Sequence, residues 1–486
     1  MRFSALHLSD LHRDLADELE TGALLDSLEL DVTRQAAEVP AILRPSLCLV
    51  TGDLIYGASA TAATPNDELA RQYGQTLEFL VGLAQRFFGG ARERVVILPG
   101  NHDVSLPAVM ANVARVPIPA DAAERRRLVE ELFTPRSRLR WSWSELCFYR
   151  IVDDDAYRNR LEHFARLYSS FYEGRRTFSL DPAGQHDVFD FPDLGFCVLA
   201  LSSCFNNDIF RRAGAFHPAA VAEVCRLARA PARAGRLIAA AWHHNLYGGP
   251  QQDDYIDSSV LQNFIDAGIS LAFHGHQHVM DCVDERYRVG PEPRKITVVS
   301  AGTLCAGPHH LAAGAPRGFN VVEIDTDTWA GRLHQRHMVN RVYALPMWGP
   351  GQINATNASH LDFEICRPLL PRPAALDLDL ALEQAAQLLG AHRWVEALEE
   401  LRPHRAAPLA RPLLALAVSE VGDPRSAIDL LSPPETIAEA VVVGGAIVEA
   451  GTRAEAEAFL TLPLVAGSAD ASVLNIARRV RERRAP

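Results

Sequence analysis

Residues 95–103 read Val-Val-Ile-Leu-Pro-Gly-Asn-His-Asp. The aliphatic run predicts a strand, and the Pro-Gly step that follows ends it. The same grammar recurs along the chain. Ala5–Ser9 leads into Asp10-Leu11-His12, Leu47–Thr51 into Gly52-Asp53, Leu237–Trp242 into His243-His244, and Ser270–His274 into Gly275-His276-Gln277-His278. With Phe196–Leu201, Ile296–Ser300 and Asn320–Ile324, these runs alternate with helical patterns from Phe3 to about Asp327. Such alternation predicts a layered α/β domain whose polar residues gather at strand ends, where open sheets bind ligands.

Taken singly, the polar clusters mean little, because an aspartate after a strand is commonly a cap or turn former. Their joint occurrence is informative. Oxygens from Asp10, Asp53 and Asn101 and imidazoles from His12, His243, His276 and His278 make a mixed shell suited to Mn, Fe, Zn or Ni. One carboxylate can bridge two such ions, while Asn101 adds an oxygen without adding charge.

The ordered set Ser-Asp-Leu-His, Gly-Asp-Leu, Gly-Asn-His-Asp, His-His and Gly-His-Gln-His resembles the calcineurin-like metallophosphoesterase superfamily over about the first 345 residues. The resemblance implies a four-layer αββα sandwich with two divalent metal ions, manganese foremost, at the strand ends. It puts Asp10, His12, Asp53 and His278 around one metal, and Asp53, Asn101, His243 and His276 around the other, with Asp53 as the bridge. In the family the first histidine of such a pair usually binds, which leaves His244 either supporting the ligands from behind or close to substrate; the residues alone leave His243 and His244 open. Two cations a few ångström apart bring a bridging water's pKa near neutrality, so hydroxide is available for in-line attack without a protein nucleophile. His102, next to a ligand and outside the metal shell in the family pattern, is expected to stabilise the transition state or protonate the leaving alkoxide. Asp103 is expected to orient it through a ring nitrogen. Two departures from the commoner pattern lie beside the site: Asn245 follows the histidine pair where proline is frequent, and His274, read as a backbone-bonded core histidine, precedes Gly275.

Between Asp103 and about Phe178 the pattern turns helical, as an insertion spanning about 104–180 that is dense in Arg and aromatics. Arg138, Arg140, Trp141 and Trp143 suit phosphate contact and base stacking, so they are substrate candidates; the alternative has these aromatics packed in a core. Residues 346–376, rich in Pro, Gly and Asn, read as a linker. Beyond it, 377–486 turns to Ala, Leu and Glu at helical spacing, and a weak repeat relates Gly390–Pro403, Gly422–Pro433 and Gly451–Pro463. That all-α region resembles degenerate tetratricopeptide-type pairs, which would offer a groove to a protein partner, and reads equally as a plain helical bundle that stabilises the catalytic domain or supports self-association.

The leading reading is a phosphodiesterase acting on a nucleotide or related small diester, closest in look to the bacterial cyclic-nucleotide phosphodiesterase branch. Alternatives are a DNA or RNA nuclease, and an effector that works within an assembly through its helical region. The net charge of −12 gives no broad positive field for nucleic acid, although local patches and bound cations could still offset it at one face, so a nucleic-acid substrate is neither favoured nor excluded. The eight cysteines form no CxxC pair and read as buried thiols in a reducing compartment. The N-terminus runs straight into a strand without the pattern of a signal peptide, and no apolar run is long enough to span a bilayer, so a cytoplasmic protein is expected.

Overall fold

The computed structural model describes residues 1–14, 19–134, 137–247, 254–286, 294–307, 311, 315–340, 345–353, 358–367 and 374–484. The chain divides into two compact units. The first comprises Met1–Asn112, Asp153–Ala220 and Ala228–Leu369, and the second Val113–Val152, Val221–Leu227 and Leu370–Pro486.

In chain order the strands are β1 (Arg2–Leu8), β2 (Pro45–Thr51), β3 (Val95–Leu98), β4 (Val113–Val116), β5 (Leu139–Ser142), β6 (Cys147–Ile151), β7 (His186–Phe191), β8 (Phe196–Leu201), β9 (Leu237–Ala241), β10 (Leu271–His274), β11 (Asp281–Arg286), β12 (Lys295–Ser300), β13 (Gly318–Asp325), β14 (Ala330–Met338), β15 (Trp348–Pro350) and β16 (His360–Glu364). The first unit holds two sheets. One runs β15-β14-β13-β1-β2-β3 with β16 also on β14, the other β11-β12-β10-β9-β8-β7. Each has a parallel centre: β1, β2 and β3 in the first, and β8, β9, β10 and β12 in the second. The central strands are buried along nearly their whole length, which is why their sequences are continuous apolar runs instead of alternating ones.

The sheets pack face to face. Phe3 on β1 lies 5.2 Å from Phe196 on β8, and His7 on β1 meets the edge of Phe273 on β10 at 5.1 Å. Helices cover the outer faces. Pro65–Phe88 starts with proline in its first turn and acidic Asp67 and Glu68, stops at left-handed Gly89, and turns Leu69, Phe79, Leu80 and Leu83 inward. Thr21–Gln35 packs beside it, and Val260–Asp266 lies against β12 of the second sheet. This is the four-layer sandwich the sequence predicts.

Segment 104–180 carries helices at Leu106–Ala111, Ala122–Leu132 and Glu162–Phe171, together with the antiparallel sheet β4-β6-β5. Its aromatic density, read as helical, belongs in part to the hairpin β5–β6, where Trp141 faces Phe148 across the strands. Aromatic residues favour such cross-strand pairs. Within 346–376, read as a linker, Trp348–Pro350 and His360–Glu364 both pair with β14. The prolines at 368, 371 and 373 of that stretch lie outside the described residues.

In the second unit each helix between Ala374 and Arg484 packs on its neighbours in sequence. Gly422 ends one helix in the left-handed conformation and Asp423 caps the next by accepting from Arg425 and Ser426 N–H, while Thr452 and Glu455 form a reciprocal capping box. Buried Arg411 donates to Glu439 at 2.6 Å and to the carbonyls of Leu431 and Pro433, locking successive helices together. Among the described residues no helix is long and apolar enough to cross a membrane.

Candidate metal centre

The turns after β1, β2, β3, β9 and β10 meet at one edge of the sandwich. They are lashed together by their backbones: Asp10 N–H donates to Gly52 O, His12 N–H to Asp53 O, and Gly275 N–H to His243 O, at 3.0–3.1 Å. Close approach explains the small residues there. A Cβ on Gly52, whose φ is +91°, would lie 2.5 Å from His243 Nδ1, and one on Gly275 would lie 1.7 Å from Ser9 Oγ. Asp10, His12, Asp53, His276 and His278 also have positive φ, between 43° and 81°.

Two groups of side chains result. In the first, His278 Nε2 lies 3.1 Å from both Asp10 Oδ1 and His12 Nε2. In the second, His276 Nδ1 lies 2.9 Å from Asn101 Oδ1 and 3.2 Å from His243 Nε2. Asp53 stands between them. Its Oδ2 is 3.2 Å from His243 Nε2 and 3.8 Å from His12 Nε2, while its Oδ1 accepts the His102 N–H at 2.8 Å. The structure therefore brings together Asp10, His12, Asp53, Asn101, His243, His276 and His278. The aspartates lie at the buried floor, with Asn101, His276 and His278 nearer the mouth.

The two histidines of the pair face different ways. His243 Nδ1 lies 2.7 Å from Thr51 O, and since a carbonyl only accepts, Nδ1 carries a proton and Nε2 is the nitrogen that faces the group. His244 turns away: its Nδ1 meets Ser203 Oγ at 2.8 Å and its Nε2 the Asn207 amide at 3.2 Å. His274 is buried, donates from Nδ1 to Gly275 O and stacks on Trp242, as a core histidine should.

His102 is held by a different partner from the one the sequence suggested. Its Nδ1 donates to Tyr56 O at 2.7 Å, and its ring stands edge-on to His12 at 4.6 Å. The expected Asp103–His102 contact is corrected accordingly. Asp103 sits in the third position of a tight turn, so its carboxylate reaches back to Gly100 N–H at 2.8 Å and across to Leu54 N–H at 3.2 Å, and accepts from Tyr73 OH. Asp103 thus splices the turn that carries Asn101 to the turn that carries Asp53.

Among the substrate candidates on the hairpin, Arg140 is buried and donates to the carbonyls of Ser137 and Leu139, which makes it a brace of its own segment. Arg138 is exposed, Trp141 is partly buried and Trp143 is 79% exposed. All four belong to the second unit, whereas the strand-end groups belong to the first.

The donor set fits two divalent cations. His243 Nε2 lies 3.0 Å from Asn101 Oδ1 and 3.2 Å from Asp53 Oδ2, and Asp10 Oδ1 lies 3.1 Å from His278 Nε2, so oxygen and nitrogen ligand atoms converge on two points. Such a mixed oxygen and nitrogen set suits divalent cations, which take the place of the His243 proton. Burial lowers the His243 pKa, but the Asp53 carboxylate overrides it and raises the ring to about 9. Burial likewise opposes ionisation of Asp53, and the attraction of His243 and His102 wins, holding it well below the usual carboxylate range. His12 is pushed down to about 3 by burial and by His102, so it is neutral and ready to bind. Asp103 is raised to about 7 by burial and by Asp53.

An expected consequence concerns protons. Below about pH 9 His243 carries a proton that a metal must displace, so apparent metal affinity should rise with pH and binding at pH 7 should release about one proton. Titration calorimetry in buffers of different ionisation enthalpy measures this; a heat independent of buffer would refute it.

The family of calcineurin-like phosphoesterases matches residues 3–280, the stretch that carries every turn described above. The chain belongs to that family. It is a metal-dependent phosphoesterase, a hydrolase of phosphate esters. No curated protein matches the chain. Among solved structures it is similar to a dimetal phosphatase from Danio rerio, at 11% identity over 75% of this chain and 99% of that one with a TM-score of 0.37. It is also similar to GAP50, the anchor in the inner membrane complex of Plasmodium, at 8% identity over 78% and 94% with a TM-score of 0.34. A Vps29 single mutant from Entamoeba histolytica is similar at 10% identity over 74% and 100% with a TM-score of 0.26.

Proposed function

We propose that this phosphoesterase hydrolyses phosphodiesters of nucleotides or related small molecules, in the manner of the cyclic-nucleotide branch, with manganese as its preferred metal. Asp10, His12, Asp53 and His278 would hold one ion, and Asp53, Asn101, His243 and His276 the other. The observation that carries the reading is Asp53 Oδ2, which faces His12 and His243 at once. Two bound cations supply Lewis-acid charge that stabilises phosphoryl oxygens and acidifies water.

The chain's own part is to place charge and move a proton. Thr51 O fixes the His243 tautomer, and the His102 N–H fixes the Asp53 rotamer. With Nδ1 committed to Tyr56 O, His102 has only Nε2 left to exchange a proton with a leaving alkoxide. Asp103 keeps the two turns in register.

A second reading, a nuclease that works with a protein partner, draws support from the helices of the second unit, whose neighbour-on-neighbour packing suits a repeat-like docking surface. A screen of the full chain, reconstituted with manganese, separates the readings. It compares bis-p-nitrophenyl phosphate, p-nitrophenyl phosphate, cyclic nucleotides, and single- and double-stranded DNA and RNA. The diester should exceed the monoester, and cyclic nucleotides should exceed strands; a monoester preference would sink the proposal, and a strand preference would favour the nuclease.

A further inference from the structure

The far nitrogen of His276, a proposed ligand, points at a carboxylate that no sequence motif marks. Its Nδ1 faces Asn101 Oδ1 and His243 Nε2, while its Nε2 is buried without a hydrogen-bond partner. Asp254 Oδ2 lies 3.6 Å from that Nε2, and Asp254 Oδ1 is itself buried and unpaired. A buried ring nitrogen without a hydrogen-bond partner that faces a carboxylate oxygen at 3.6 Å is uncommon, and a small shift closes that gap to a hydrogen bond.

The position of Asp254 is built into the fold. Tyr255 bridges to Asn245 in parallel, and Ile256 N–H donates to Asn245 O at 2.9 Å, so this backbone is pinned to the turn that carries His243 and His244. Ile256 is fully buried and would meet any Cβ on Gly214 at 2.8 Å, which closes the segment from the other side. Gln277 anchors the facing turn by donating to Tyr247 O at 2.8 Å.

We infer that Asp254 is a positioning residue for the metal centre: it accepts the Nε2 proton of His276, fixes the tautomer that presents the Nδ1 lone pair, and strengthens that nitrogen as a ligand. A neutral imidazole has one proton, so holding it on Nε2 leaves Nδ1 as the acceptor. A carboxylate behind a ligating histidine raises the ring's basicity, and its loss typically weakens metal binding by about 10- to 100-fold. Asp254 touches neither substrate nor reacting atoms in this role.

The inference rests on the reading of His276 as a ligand, and the test keeps the two apart. Manganese is titrated into the full chain, and the two binding steps are resolved for wild type, Asp254→Asn, Asp254→Ala, His276→Ala and the double variant His276→Ala with Asp254→Asn. Asp254→Asn should weaken one step by about tenfold and leave the other within about twofold, with melting of the metal-free protein unchanged. In the His276→Ala background the same change should have no further effect. Two normal steps in Asp254→Asn and Asp254→Ala would overturn the positioning role, as would a parallel loss in both steps with a lowered melting temperature. Fewer than two ions on wild type, or two unaltered steps in His276→Ala, would overturn the ligand reading instead.

Discussion

Asp53→Ala is expected to lower turnover of a generic diester by about three orders of magnitude or more and to reduce metal content. Its carboxylate does several things that no neighbour can take over. Oδ2 faces His12 and His243, Oδ1 anchors the His102 backbone, and the charge holds up the pKa of His243. Removing it unties the β2 and β3 turns at one point and deprives both ligand groups of their shared oxygen. The change should not unfold the sandwich, since the turns keep their mutual backbone bonds and Asp103 still bonds Gly100 and Leu54. Metal analysis beside a diester assay checks this. Wild-type rates in a metal-depleted, folded Asp53→Ala protein would refute the shared-ligand reading.

His102→Ala is expected to spare metal content while lowering the maximal rate by about two to four orders of magnitude, the usual worth of a positioned acid or base. The ring lies outside the two ligand sets proposed above, although one of its nitrogens comes within 4.8 Å of ligand atoms on His12 and Asp53, and its Nδ1 is engaged by Tyr56 O. The loss should shrink on p-nitrophenolate esters, whose leaving group needs little protonation. An equal loss on poor and good leaving groups would assign His102 to charge stabilisation. A fall in metal content would instead place His102 among the ligands, beside His12 and Asp53.

The strand-end turns were legible in the sequence because two signals coincide there: a continuous apolar run and an abrupt change to Gly, Asp, Asn and His. That coincidence fixes where side chains emerge, but not which way each one turns. The His243–His244 pair is resolved only by Thr51 O and the Ser203–Asn207 pair, which arrive from elsewhere in the chain. Asp103 carries the same ambiguity, since adjacency to His102 says nothing about a carboxylate that is drawn into capping its own turn. Short strands hide for another reason. Trp348–Pro350 is only three residues long, and His360–Glu364, whose Leu361 and Phe363 alternate with polar residues, lies in a stretch whose prolines and glycines read as breaks. Asp254 had no local signal at all. It is brought to His276 by a bridge between Asn245 and Tyr255 that no periodicity announces.

The left-handed backbone at Asp10, His12, Asp53, His276 and His278 has a consequence for how this chain can evolve. Outside glycine that conformation costs about 1 kcal/mol or more per residue, so the edge of the sandwich is held in place against its own local preference by the sheets beneath it. A glycine at any of the five would relax the turn and erase a donor. Selection for a sturdier scaffold and selection for a working centre therefore pull these positions in opposite directions. The rigid parallel strands behind them are what let the chain keep residues there that a search for stability alone would discard.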